Sequence, residues 1–245
     1  MSKTHFGYTD VTPEEKTEKV RAVFESVASR YDCMNDLMSG GLHRLWKRSA
    51  LHLARLAPGH KILDLAGGTG DLSLRMAQSV PDVEIILSDI NQEMLRHGRD
   101  RAFDAGFVRQ IRTVLADAES LPFPDASFDR VIIGFGLRNV TRPQVALNEM
   151  RRVLKPGGLA IILEFSQPTH PLVKACYDKY SFNVIPQLGA WVTGDRAAYQ
   201  YLVESIRKHP DQETLLSWLK TAGFAHADYH NLLNGVVAVH RGFVL

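Results

Sequence analysis

Only two cysteines, Cys33 and Cys176, occur in 245 residues, far apart and without a Cys-x-x-Cys partner. Neither a disulfide framework nor a thiolate metal cage is indicated, and reduced thiols in the cytoplasm are the default. Long hydrophobic runs are missing as well: none approaches the roughly 20 residues that cross a bilayer. Met1 to Asp10 has no apolar centre of the kind a signal peptide carries. A soluble, cytoplasmic chain is expected. Charge of one sign is not in excess, since 29 Lys and Arg stand against 27 Asp and Glu for a net +2. With the signs interleaved there is no basic stripe for a phosphate backbone, and no nucleic acid partner is expected. The scattered acids are read as helix faces and caps, and no metal site is expected.

What is present is a chain long enough to bury one large core. Runs rich in Val, Ile and Leu recur at Lys61 to Ala66, Val83 to Ser88, Ile111 to Leu115, Arg130 to Ile133 and Leu159 to Phe165. Such runs suit strands buried on both faces. Helical patterns lie between them at Asp71 to Ser79, Gln92 to Ala105 and Pro143 to Leu154, the last stopped by Lys155-Pro-Gly-Gly158. This alternation predicts a parallel sheet with crossover helices. Near the C-terminus a helix over Gln212 to Ala222 ends at Gly223, and two strand-like stretches flank Asn234-Gly235. Asn-Gly is a hairpin signal, so an antiparallel edge is expected there. The reading is one α/β domain over residues 1–245, with a helical N-terminal extension over 13–56 on the substrate side. A second addition, over 166–209, is helical: a lid over the site or one more amphipathic helix packed on the core.

Lys61-Ile-Leu-Asp-Leu-Ala-Gly-Gly-Thr-Gly-Asp71 leads from a buried strand through a flexible turn into a helix, where glycines let a ligand approach the backbone. The spacing does not reproduce the dinucleotide fingerprint Gly-x-Gly-x-x-Gly, which disfavours a dehydrogenase. It resembles instead the acidic-x-Gly-x-Gly-x-Gly loop of class I S-adenosylmethionine-dependent methyltransferases, a Rossmann-like fold with a mostly parallel seven-stranded sheet. Asp64, Gly68 and Gly70 are in place and Ala66 replaces the first glycine. Asp89 closes the next strand, where its carboxylate could accept both ribose hydroxyls, unless it serves as a helix cap. Asp117, after the third strand, could accept from an adenine amino group, with a cap again the competing role. Three acids at successive strand ends form one crevice, the place where open α/β sheets bind ligands.

The fourth strand runs into Gly134-Phe-Gly-Leu-Arg138-Asn139-Val140. Together with Phe24 to Asp36, Gly41-Leu-His-Arg-Leu-Trp-Lys47, Asp64 to Asp71 and His209-Pro-Asp211, this turn resembles the UbiE family of ubiquinone and menaquinone biosynthesis C-methyltransferases over nearly the whole chain. Carried over by position, the resemblance implies cofactor contacts from Thr69, Asp89, Asp117, Ala118 and Gly134, beside Asp64, Gly68 and Gly70 of the loop. It implies S-adenosyl-L-methionine as cofactor and a polyprenylated quinol as acceptor, either a demethylmenaquinol or a methoxy-benzoquinol lacking its ring methyl. Arg138 would steady the quinol oxygen and Asn139 would orient it or the loop; Tyr31, Asp32, His43 and Arg138 have chemistry suited to taking the hydroxyl proton, with His43 read first as a packed or solvated helix residue. Peripheral contact with the inner face of a membrane, or a place in a quinone biosynthesis complex, would follow from the acceptor. Edge strands near the C-terminus could pair in a homo-oligomer. The alternatives are methylation of another lipid or small molecule, and a non-catalytic cofactor-binding subunit.

Overall fold

The computed structural model describes residues 4–27, 35–36, 39–180, 187 and 196–245. In chain order the elements are β1 (Thr4–Phe6), β2 (Thr9–Val11), α1 (Pro13–Val27), α2 (His43–Ala54), β3 (Lys61–Leu65), α3 (Asp71–Ser79), β4 (Glu84–Asp89), α4 (Gln92–Asp104), β5 (Ile111–Leu115), β6 (Phe128–Gly134), α5 (Pro143–Val153), β7 (Leu154–Phe165), α6 (Pro171–Lys179), α7 (Arg196–Lys208), α8 (Gln212–Thr221), β8 (His226–Leu232) and β9 (Val237–Phe243). Seven strands form one sheet in the order β5-β4-β3-β6-β7-β9-β8. The first five are parallel, and β9 and β8 close it antiparallel, as expected from the sequence.

Strand periodicity divides the interior in two. Ile62, Ile132 and Ile161 point to a core shared with Trp46 of α2, Met76 of α3 and Tyr199 of α7. Their neighbours Leu63, Val131, Ile133 and Ile162 point to a second core with Leu147 of α5 and Leu215 and Leu219 of α8. Both faces are covered, which is why these strands are continuous apolar runs. From β3 the chain moves outward to β4 and β5, then returns to β6 on the other side of β3. Loops after β3 and β6 therefore leave in opposite directions and open a crevice at the carboxyl ends of the strands.

Two local features differ from the sequence expectation, and a third, the Asn-Gly hairpin, agrees with it. Before α1 lies a two-stranded hairpin in which Thr4 pairs with Val11, and its Phe6 ring stacks on Tyr201 at 4.1 Å between centroids. Strands of three residues are too short to show an alternating pattern. Lys155-Pro-Gly-Gly158 does stop α5, but β7 already begins at Leu154, which pairs with Phe128; the register then jumps to Arg130 with Leu159. Asn234-Gly235 turns the chain between β8 and β9 as a short 3-10 segment, with both residues at positive φ. His226 and His230 on β8 flank Asp228, but both oxygens of that carboxylate are held by Arg241 at 2.7 and 2.6 Å. Much of the 13–56 and 166–209 additions is helical, in α1, α2, α6 and α7. Residues 28–34, 181–186 and 188–195 lie outside the described residues, so the lid reading is not addressed there.

Ala66, at the turn after β3, has φ +51°. This left-handed conformation is costly for any residue with a Cβ, and it accounts for the glycine that the general loop pattern places here. Ala66→Gly is expected to raise stability in urea unfolding by up to about 1 kcal/mol, whereas Ala66→Val, β-branched at the same φ, should lower it. Equal midpoints for all three proteins would show that the turn carries no strain.

Candidate active site

Four strands, β3, β4, β5 and β6, deliver their carboxyl ends to the crevice. Between the loop after β3, the start of α4, the segments after β5 and β6, and helix α1 lies a cleft of about 830 Å3 including its open mouth. Thr17, Val20, Arg21 and Phe24 line it from α1. Their i, i+3, i+4, i+7 spacing places one face of that helix on the cleft.

Gly98 of α4 allows the loop to lie close to this helix: a Cβ there would come within 3.1 Å of the Gly68 carbonyl oxygen. Gly70, at φ +75°, is the N-cap of α3. Gly68 lines the cleft, and its N–H donates to Asp89 Oδ2 at 2.9 Å. Asp89 Oδ1 accepts from the Asn91 N–H at 2.9 Å. The cap of α4 is Asn91, whose Oδ1 accepts from Glu93 and Met94 N–H. Asp89 is thus not the N-cap, and it lines the cleft. Burial pushes its carboxyl up to about 6, against the pull of the Asn91, Gly68 and Ile90 N–H groups. The Asn91 amide also donates to the Arg21 carbonyl at 3.4 Å, joining α1 to this corner.

Asp117 and Ala118 lie on the same wall. Asp117 Oδ1 accepts from the Glu119 N–H at 2.9 Å, which meets the turn role and leaves Oδ2 without a protein partner among the described residues. Asp64, Thr69, Gly70 and Gly134 do not line the cleft. Thr69 is buried, with its hydroxyl and carbonyl both accepting from Arg101 Nη1 at 3.0 and 3.2 Å. Gly134 packs against Leu72, whose Cδ1 lies 2.6 Å from where a Cβ would stand. Asp64 is fully buried under the loop and accepts from Ser73 Oγ at 2.6 Å. Its Oδ1 has no partner among the described residues. Burial pushes this carboxyl up to about 6 as well. A buried acceptor without a donor, beneath the loop that borders the cleft, suits a cationic group.

Arg138 and Asn139, neighbours in sequence, separate in space. Asn139 lines the cleft, and its Oδ1 accepts from Tyr201 OH at 2.9 Å. Arg138 lies beneath the turn, its side chain 3% exposed, with Nη1 2.9 Å from Glu164 Oε1. Nη1 also donates to the Phe135 carbonyl, and Glu164 accepts from the Arg138 N–H through Oε2 and from the Phe165 N–H through Oε1. The ion pair faces inward, and among the described residues Arg138 Nε is a buried donor with no acceptor. Lys16, 3% exposed, donates to the Val140 carbonyl at 2.9 Å and braces the far end of the turn. Desolvation brings its pKa down to about 8. Phe135 has φ +58°, an outlier for a bulky side chain, and its ring packs against Trp46 and Phe165.

His43 is buried, with Nε2 2.8 Å from Asp36 Oδ1, and burial lowers its pKa. Tyr31 and Asp32 fall outside the described residues. Sequence reasoning did not single out Asn91, Glu164 or Tyr201. Glu164 alone leaves a trace, as an acid inside the apolar run Leu159 to Phe165.

The sheet order and the ring of acids at its strand ends define the class I S-adenosylmethionine-dependent methyltransferase fold. An S-adenosylmethionine-dependent methyltransferase from Aquifex aeolicus superposes with a TM-score of 0.56 at 14% identity, covering 96% of this chain and 100% of that one. The [4+2]-cyclase SpnF superposes at 0.62 with 18% identity, covering 93% and 96%, so the fold by itself leaves the reaction open. Sequence is more specific: residues 12–244 match the model of the ubiE/COQ5 methyltransferase family. The chain belongs to that family. It is 58% identical over 241 residues to the ubiquinone/menaquinone biosynthesis C-methyltransferase UbiE of Coxiella burnetii (strain RSA 331 / Henzerling II), covering 98% of this chain and 96% of the relative. To the enzyme of the same name from Ectopseudomonas mendocina (strain ymp) it is 55% identical over 240 residues, covering 98% and 94%.

A carboxyl whose pKa is higher in the folded than in the unfolded chain holds its proton more tightly when folded. Its ionisation therefore costs stability as pH rises from about 4 through about 6. Asp64→Asn, which mimics the neutral acid, is expected to be more stable than the parent at pH 7.5 by up to about 3 kcal/mol in urea unfolding. The gain should fade as pH falls from 6 towards 4. A gain of the same size at pH 4 would assign the effect to packing instead.

Proposed function

We propose that this protein transfers a methyl group from S-adenosyl-L-methionine to a ring carbon of a polyprenylated quinol in ubiquinone or menaquinone biosynthesis. The observation that carries this reading is 58% identity across nearly the full length to a relative so named. The cleft supplies chemistry that suits it. Asp89 would accept the ribose hydroxyls and Asp117, through its uncommitted Oδ2, the adenine amino group. Ala118 would pack against the adenine ring, and the Gly68 backbone would allow close approach. Asp64 Oδ1 matches the amino group of the methionine portion. Thr69, Gly70 and Gly134 would act through the backbone, shaping the loop and the floor of the crevice.

When bound, S-adenosylmethionine supplies a methyl group activated on a sulfonium. The quinol ring, electron-rich when reduced, would attack through the unsubstituted carbon beside an oxygen; a carbon–carbon bond forms as the carbon–sulfur bond breaks, and the ring carbon then loses its proton to restore the aromatic quinol. The oxidised quinone is electron-poor and is not a competent nucleophile. Because phenolate and sulfonium neutralise each other on the way to the transition state, a strong cation held at the oxygen would stabilise the reactant more than the transition state. The chain's task is alignment. Burial of Arg138 against Glu164 suits this economy of charge, and its role is that of a positioning residue for the Gly136 to Asn139 turn. Among the described residues no helix is long and apolar enough to cross a membrane. The acceptor's isoprenoid tail would bring the protein to the membrane surface as a peripheral visitor.

Incubation with methyl-labelled S-adenosylmethionine and either reduced or oxidised demethylmenaquinol and demethylated methoxy-benzoquinol, followed by mass spectrometry, tests the proposal. Ring-carbon label is expected with reduced acceptors only. Cofactor binding without label on either ring, beside an active control enzyme, would move the reading to another acceptor.

A further inference from the structure

Asn139 and Tyr201 come from elements 62 residues apart and meet at the wall of the cleft, 2.9 Å between hydroxyl and amide oxygen. Tyr201 is 5% exposed, and one face of its ring is covered by Phe6, stacked at 11° between planes. Its phenol is held neutral: burial raises its pKa, the nearby Glu164 carboxylate acts in the same direction and Arg138 opposes. A neutral buried phenol has one hydrogen to place. Among the described residues the acceptor that takes it is Asn139 Oδ1. The opposite orientation of the amide would have Nδ2 donate to the phenol oxygen and leave the buried O–H with no acceptor, a cost the observed arrangement avoids. With Oδ1 committed to Tyr201, Asn139 has its Nδ2–H group left to offer the cleft, and no described residue accepts from it.

We propose that Tyr201 is a positioning residue that locks the Asn139 amide with its N–H donor facing the acceptor, so that Asn139 binds the quinol oxygen beside the reacting carbon in its electron-rich, deprotonated form. This rests on the reading of the cleft as a quinol methyltransferase site and deepens it. A single neutral donor raises the population of the phenolate and fixes the ring's rotation about the reacting carbon. It does so without the full positive charge that would hold the oxygen back. The polarity is also selective: an N–H group donates to a phenolate oxygen, whereas an acceptor group at the same place would favour the protonated hydroxyl, the less reactive form.

Tyr201→Phe removes the hydroxyl and keeps the stack on Phe6. With S-adenosylmethionine and a short-tailed reduced demethylnaphthoquinol, it is expected to lower kcat by roughly tenfold to a hundredfold. Cofactor affinity by calorimetry should stay within about twofold of the parent, since Tyr201 does not line the cleft. The ascending limb of kcat against pH should move to higher pH by about one unit, because the bound phenolate loses its oriented donor. A purely structural role would lower activity without moving that limb. Asn139→Asp, similar in shape but an acceptor only when ionised, should lose at least as much, and the Tyr201→Phe change should add little in an Asn139→Ala background. Parent-like kcat and pH profile in Tyr201→Phe would overturn the proposal. So would full turnover in Asn139→Asp, which would mean that an oxygen faces the acceptor. A parent protein inactive on the reduced acceptor would instead overturn the functional reading, and this inference with it.

Discussion

The turn after β6 that lines the cleft is held from behind by a buried ion pair. Arg138 and Glu164 are 3% and 1% exposed, and their charges meet at 2.9 Å where β6 and β7 end side by side. Removing either partner would strand a charge in the core, at a cost of about 3–5 kcal/mol. The pair ties together the carbonyl of Phe135, the N–H groups of Arg138 and Phe165, and through them the ends of two neighbouring strands. Phe135 keeps a left-handed backbone only because such surroundings over-determine it. Asn139, Lys16 and the aromatic trio of Trp46, Phe135 and Phe165 all take their places around a turn fixed in this way.

This arrangement keeps the two cations that brace the turn, Lys16 and Arg138, out of the cleft lining. Lys16 donates to the Val140 carbonyl from behind the turn and feels the Glu119 carboxylate, and Arg138 is paired with Glu164. Polar residues that line the cleft include Asp89, Asn91, Asp117, Glu119 and Asn139, with Arg21 from α1. They suit a ligand rich in hydroxyl and amino donors at one end and an oxygen-bearing ring at the other.

Much of this was legible in the sequence. Strands buried on both faces announce themselves as apolar runs, and glycines and acids at their ends mark the crevice because the sheet brings them to one edge. The strand ends at Asp64, Asp89 and Asp117 were found in this way. Arg138 shows the limit: sequence placed it with Asn139, but one step along a turn reverses the direction of a side chain, and the partner that draws Arg138 inward lies 26 residues away. Tyr201 was equally hidden, since nothing in its own helix distinguishes a tyrosine facing Asn139 from one filling the core. Asn91 escaped notice because Asp89, two residues earlier, is an equally good cap on paper. The backbone chose between them.

Asn91 has a consequence for how two ligands sense each other. Its backbone N–H holds Asp89, its Oδ1 starts α4, and its amide holds the Arg21 carbonyl of the helix that walls the cleft. A ligand that immobilises Asp89 therefore also braces α1, and one that packs against Thr17, Val20 and Phe24 braces Asp89. Linkage is reciprocal, so whatever cooperativity the first ligand confers on the second, the second returns in equal measure.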